Sequence, residues 1–270
     1  MIRAYTIASG KGGTGKTTVV ANLGTALAQY GRETCIVDTD IGMANLGLVL
    51  GLTRTPVTLH EVLAGKAPIQ DAIYEGPYGL KIVPSGPSLE GFQNADPARL
   101  KDVMTDLTDR CDYLFFDAPA GISTDAIMPL SVADEVLLVV NPELSSLVDA
   151  LKIRILTEMV GGTVMGTLLN RMTMESTDVS RGKIEKALGV PVIDIIPEDA
   201  NVRRAAAARM PVVAKYPQSE SSKAFRRIAA TLAGLPIEEE PEKVREGFIE
   251  RFARALFRRD SECSTSMDSS

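Results

Sequence analysis

The run Gly10-Lys11-Gly12-Gly13-Thr14-Gly15-Lys16-Thr17, followed by Thr18, has the spacing GxxxxGK[ST]. Glycines at this density let successive backbone N–H groups turn toward one anion without interference from Cβ atoms. A β-prone run, Ala4 to Ala8, precedes the glycines, and a segment of helical spacing, Thr17 to Tyr30, follows them. That strand, loop, helix context is what a phosphate-binding reading of the motif requires. The helix start then points its partial positive charge at the phosphates. Lys16 reaches the β- and γ-phosphates, and the Thr17 hydroxyl ligates Mg²⁺. Lys11 is superfluous for cradling the chain's own phosphates. It is either an exposed loop lysine or a cation that neutralises a partner's nucleotide across a dimer interface, as an arginine finger does in trans.

Three carboxylates have related placements. Asp38 and Asp40 follow the apolar run ETCIV, and Asp117 follows DYLFF. An Asp at a strand end commonly serves as a turn or cap residue. Beside a phosphate loop, the same side chains offer the hard oxygens that Mg²⁺ prefers. Asn170, after the run VMGTLL, reads on its own as a turn residue. His60 is the chain's one histidine and cannot build a multi-histidine metal site. Cys35, Cys111 and Cys263 show no CxxC pairing, which argues against a disulfide framework or an iron–sulfur site and fits a reducing compartment.

The elements that must position these residues alternate. Further strands are expected at Leu80 to Pro84, Glu135 to Val140, Thr163 to Leu169 and Val192 to Ile196. Helices are expected at Pro97 to Asp109, Leu147 to Val160, around Lys183 to Leu188, and at Ser219 to Ala233. EVLLVV is apolar after its first residue, as a central parallel strand covered on both faces should be. Alternating β and α segments predict an α/β fold with a doubly wound, mostly parallel sheet, helices on both faces, and ligands at the carboxyl ends of the strands.

The composition shifts after residue 234. Residues 1–234 read as one domain and 235–243 (LPIEEEPEK) as an acidic, proline-bearing linker. Residues 244–259 form an amphipathic segment, and 260–270 a polar tail expected to be disordered. At ~100° per residue, Val244, Phe248, Ile249, Phe252, Ala255 and Leu256 share a sector, with Phe257 beside it. Arg251, Arg254 and Arg258 lie opposite. Five arginines against two glutamates give this segment +3 within a chain of net charge −6. Such a helix docks on a protein body or lies in a bilayer interface with its arginines at anionic headgroups. No apolar run reaches the ~20 residues of a membrane span, and no targeting segment is expected at Met1 to Ser9.

The sequence KGGTGKTT resembles the deviant Walker A motif of the MinD/ParA class of P-loop ATPases. IVDTDIGMANLGLVLG, FFDAPAGI, NPELSSLVDA, LLNR and IPEDANVRRA, in this order, extend the resemblance over roughly residues 3 to 234 and favour the MinD branch. The resemblance implies a slow, Mg²⁺-dependent ATPase acting as an ATP-dependent homodimer. Lys11 is then the signature lysine that contacts nucleotide across the dimer. Gly10, Gly12, Gly13, Thr14, Gly15, Lys16, Thr17 and Thr18 hold phosphates and Mg²⁺. Asp40 positions the attacking water, Asp38 supports the Mg²⁺ shell, and Asp117 is the Walker B type carboxylate. Gly121 senses the γ-phosphate, Asn170 hydrogen-bonds adenine, and the turn Pro197-Glu198-Asp199 lies beside the base. It also implies a membrane-targeting helix at 244–259. The protein would then be cytoplasmic, peripheral on the inner face of the cell membrane, with an activating or cargo protein that the sequence does not name. The roles left open are placement of division, flagellar, archaellar or chemosensory machinery. A DNA-partition ATPase using Arg203, Arg204, Arg209, Arg226 and Arg227 is the less favoured alternative.

Overall fold

The computed structural model describes residues 2–40, 42–86, 96–173 and 181–236. The acidic linker beyond 236, the amphipathic segment with Phe248, Ile249, Arg251, Phe252, Arg254, Leu256, Phe257 and Arg258, and the tail lie outside the described residues.

Eight strands form one sheet: β1 (Arg3–Ala8), β2 (Thr34–Asp38), β3 (Tyr74–Glu75), β4 (Lys81–Val83), β5 (Tyr113–Asp117), β6 (Glu135–Val140), β7 (Val164–Met172) and β8 (Val192–Pro197). Their order is β3-β4-β2-β5-β1-β6-β7-β8. Every neighbouring pair is parallel except β3 with β4. The apolar runs explain the centre of the sheet. Strands covered on both faces need no polar alternation, and β2 and β5 are buried at every residue.

Helices cover both faces. On one, Val20, Leu23 and Leu27 of α1 (Lys16–Gln29) pack with Phe225, Ile228 and Leu232 of the helix Glu220–Ala233 against Ile7, Ile36 and Phe115. On the other, Leu114 and Phe116 meet Val103 and Leu107 of the helix Leu100–Leu107, while Val136 and Leu138 meet Ala150 and Ile153 of the helix Leu144–Met159. Successive residues of β5 thus serve opposite cores, as a period-two strand must.

Several expected boundaries move. The helix expected at Pro97 to Asp109 is a 3₁₀ turn, Pro97–Arg99, followed by an α-helix over Leu100–Leu107. The strand expected at Leu80 to Pro84 shortens to Lys81–Val83 and gains an antiparallel partner, Tyr74–Glu75, that the sequence analysis does not foresee. The helix expected from Leu147 begins at Leu144. Two further helices lie where the sequence pattern signals none: Leu59–Leu63, capped by Thr58 and Glu61, and Thr124–Val132, which contains Pro129. His60 is buried in the first of these. Among the described residues no helix is long and apolar enough to cross a membrane.

Candidate nucleotide site

The chain leaves β1 between β5 and β6, so the loop of residues 9–15 emerges at the carboxyl edge where the winding of the sheet reverses. Gly13 and Gly15 take φ of +78° and +96°, conformations that L side chains rarely adopt. At Gly10 the constraint is proximity: a Cβ there would lie 2.3 Å from the carbonyl carbon of Asp149. The loop feeds into α1 with no side-chain cap and no acidic residue in its first turn. The opening N–H groups are therefore free of any local side-chain acceptor, which suits an anion.

Lys16 is buried inside this cradle, its Nζ 3.0 Å from Ser9 Oγ. Burial lowers its pKa, while Asp117 and Asp40 favour its charged form. Ser9 also bonds the carbonyl of Lys11 at 2.9 Å and is a site residue that the sequence analysis misses; a serine before a glycine loop carries no distinguishing signal.

Asp38 and Asp117 are register partners at the carboxyl ends of β2 and β5. Asp38 accepts from the N–H groups of Asp40 at 3.1 Å and Leu46 at 3.2 Å. Burial and then Asp117 push its pKa well up, against those two bonds. The Asp117 carboxyl is raised to about 7, mainly by burial, although Thr17 donates to it and Lys16 is near. Its Oδ1 is buried without a hydrogen-bond partner. Asp40 is half-buried and accepts from the Met43 N–H at 3.0 Å, and burial raises its pKa too.

A buried, orphaned carboxylate oxygen beside a second buried carboxylate and a threonine hydroxyl calls for a cation. The donor set is all oxygen, the chemistry of Mg²⁺ rather than of a softer metal. Among the described residues no cluster of three or more His, Cys, Asp or Glu side chains could hold a metal without help. A phosphate-bearing ligand supplies the missing oxygens. Thr17, Asp117 and Asp38 are the residues that would hold or surround the ion.

Gly121 follows Asp117 in a loop with φ +82°, and its N–H donates to the Ser9 carbonyl at 3.1 Å, which ties this loop to the cradle. Beside Gly15 and Thr18 a cavity is walled by Asn170, Pro197, Asp199, Val202 and Phe225, the right place for a base. Asn170 Nδ2 donates 2.7 Å to the Thr14 carbonyl. Asp199 caps the helix Ala200–Ala207 by accepting from the Asn201 N–H at 2.8 Å, and it accepts from Ser221 Oγ at 2.7 Å. Burial opposes its ionisation, but these donations prevail and hold its pKa below the usual carboxylate value. A larger groove at the amino edge of the sheet, lined by Glu33, Lys81 and Arg110, lacks a glycine cradle, and Glu33 already pairs with Lys81 at 2.6 Å.

The model of the "CobQ/CobB/MinD/ParA nucleotide binding domain" matches residues 5–212. The chain belongs to this family. It is 48% identical over 259 residues to an uncharacterised ATP-binding protein of Methanocaldococcus jannaschii, covering 96% of this chain and 98% of that one. The cell division ATPase MinD of Pyrococcus furiosus is 40% identical at a TM-score of 0.83, with 87% of this chain and all of that one covered. The MinD of Pyrococcus horikoshii, complexed with Mg-ADP, is 38% identical at 0.82, with 86% and 96% covered. The protein is a MinD/ParA-family ATPase that uses ATP and Mg²⁺.

Within this family member, Lys11 stands apart from the cradle. Its Nζ pairs with Glu143 Oε2 at 2.7 Å and lies 3.2 Å from Ser145 Oγ. Leu144, next in the chain to Glu143, and Ile122, next to the Gly121 whose N–H bonds the Ser9 carbonyl, are 78% and 62% exposed. Of the five arginines that could face DNA, Arg227 pairs with Asp194 at 2.9 Å, Arg204 bonds Asn201, and Arg226 bonds the Pro217 carbonyl. Three of that set are thus already engaged locally.

Proposed function

We propose that ATP binding joins two copies of this chain across their phosphate loops, and that the dimer holds the protein on an anionic membrane through residues 244–259. The cargo is then division or other cell-surface machinery. The observation that carries the dimer is the outward placement of Lys11. Lys16 already fills the chain's own cradle, and Lys11 is held on the rim by a surface ion pair, which solvent screens and weakens. A partner's nucleotide competes easily with such a contact. The exposed side chains of Leu144, adjacent in the chain to Glu143, and of Ile122, adjacent to Gly121, supply apolar surface for burial in a dimer.

The membrane step rests on the sequence of the terminal segment, with phenylalanines opposite arginines. One short amphipathic helix binds lipid weakly. Two on one dimer gain through effective concentration, ~10²-fold or more. Nucleotide state thereby sets location, and hydrolysis releases the protein. Co-sedimentation with anionic liposomes tests this, comparing ATP with ADP for the full chain and for a truncation ending before Val244. ATP-dependent binding that the truncation abolishes is the expected result. Equal binding in ADP sinks the switch. No binding in either nucleotide sinks the membrane role and makes salt-dependent DNA retention the next assay.

A further inference from the structure

The resemblance gives Asn170 to the adenine ring, and one N–H of its amide is committed to the phosphate loop as well. Leu169 pairs with Ile195 and Met172 with Pro197, so β7 carries one residue more than β8 across this interval. Arg171 absorbs the extra residue at φ +58°, an uncommon conformation for a non-glycine. The bulge leaves Asn170 buried at the edge of the phosphate loop. There its Nδ2 donates to the Thr14 carbonyl, and it occupies the space over Gly15, where a Cβ would lie 2.5 Å from that nitrogen. The Thr14 hydroxyl is buried and unpartnered, so the tie from Asn170 to this residue runs through the carbonyl.

A trans peptide points its C=O and the following N–H in opposite directions. Turning the Thr14 carbonyl toward Asn170 therefore turns the Gly15 N–H away from it, toward the concave side of the loop. We propose that Asn170 is a positioning residue for the phosphate loop: through its bond to Thr14 it presets the Gly15 N–H for phosphate, whatever base the nucleotide carries. Without that bond, each binding event must order the loop itself, and affinity falls. The inference requires phosphate binding at this loop and is independent of any dimer or membrane role.

The test uses the full-length Asn170→Ala and Asn170→Leu variants with Mg-ATP, Mg-ITP and Mg-tripolyphosphate, by calorimetry. ITP reverses the hydrogen-bonding character at position 6 of the base, and tripolyphosphate has no base at all. Both variants are expected to weaken all three ligands by a common factor of about ten, the scale of one lost buried hydrogen bond. N170L is similar in shape and uncharged, so it keeps the packing and removes the donor without adding a charge beside the phosphates. In the ligand-free protein, hydrogen exchange at the Gly15 amide should accelerate in N170L while amides of β1 and β5 stay unchanged, which separates loop release from unfolding. A loss for ATP that spares tripolyphosphate overturns the proposal in favour of base reading. Unchanged affinity for all three, or unchanged exchange at Gly15, also overturns it. Failure of the wild-type chain to bind either ATP or tripolyphosphate would instead remove the phosphate site itself.

Discussion

The floor of the site and its rim are built on opposite principles. On the floor, Lys16, Asp38 and Asp117 are all buried within one small volume, and burial works against the charged form of each. One carboxylate oxygen there has no partner. On the rim, Lys11, Glu143, Ile122 and Leu144 are exposed, and the ion pair between the first two is worth little. The floor is costly and rigid, organised ahead of a nucleotide and its metal ion. The rim is cheap to rearrange, as a surface that changes partners must be. A single chain contains the binding apparatus, and the proposed dimer contact falls at its edge.

The comparison breaks most sharply at Lys16. Lys16→Ala should reduce ATP affinity by at least ~10²-fold, since it removes the one cation buried in the cradle. Near-normal binding in equilibrium dialysis would mean the floor has been misread.

Asp117→Asn should abolish Mg²⁺-dependent turnover and, in the ligand-free protein, raise Tm at pH 8 by a few °C. The second effect follows from the raised carboxyl. Folding takes up a proton between the ordinary Asp value and about 7. The associated stability is complete below the unfolded pKa and is lost as pH rises through 7. Tm measured from pH 5 to 8 should therefore fall less steeply in the variant, and parallel curves would assign the slope to other groups.

At the rim, Lys11→Ala should leave ADP affinity within about twofold while ATP-dependent dimerisation and turnover fall at least tenfold. Equal losses of ADP binding and turnover would move Lys11 into its own cradle and erase the distinction. The smallest effect belongs to Glu143→Gln. Stability should be unchanged within measurement error, because the pair lies at the surface and solvent screens it. A larger loss in urea unfolding would show the rim to be structural after all.

Much of this architecture was legible because local rules and tertiary demands agree. The spacing of glycines, Lys16 and Thr17 names a phosphate loop from chemistry alone, and apolar runs ending in Asp38 and Asp117 place both at the carboxyl edge. The register is where the sequence is silent. Nothing in VMGTLLNR announces the bulge at Asn170, because a bulge depends on how β7 is paired with β8. The helix Thr124–Val132 is hidden by Pro129, whose local penalty is outweighed by packing, with Ala126 and Leu130 buried. Ser9, Glu143 and Ser145 are ordinary residues whose importance lies only in which lysine they face.

Spacing along the chain is enough for the strand and helix alternation, the cradle and the supply of oxygen ligands. The folded packing sets which charges share a buried volume, that Lys11 turns outward while Lys16 turns in, and that Asn170 grips the Thr14 carbonyl. Those outcomes depend on contacts between segments up to 156 residues apart, and on the free energy of burying charge, which no local pattern encodes.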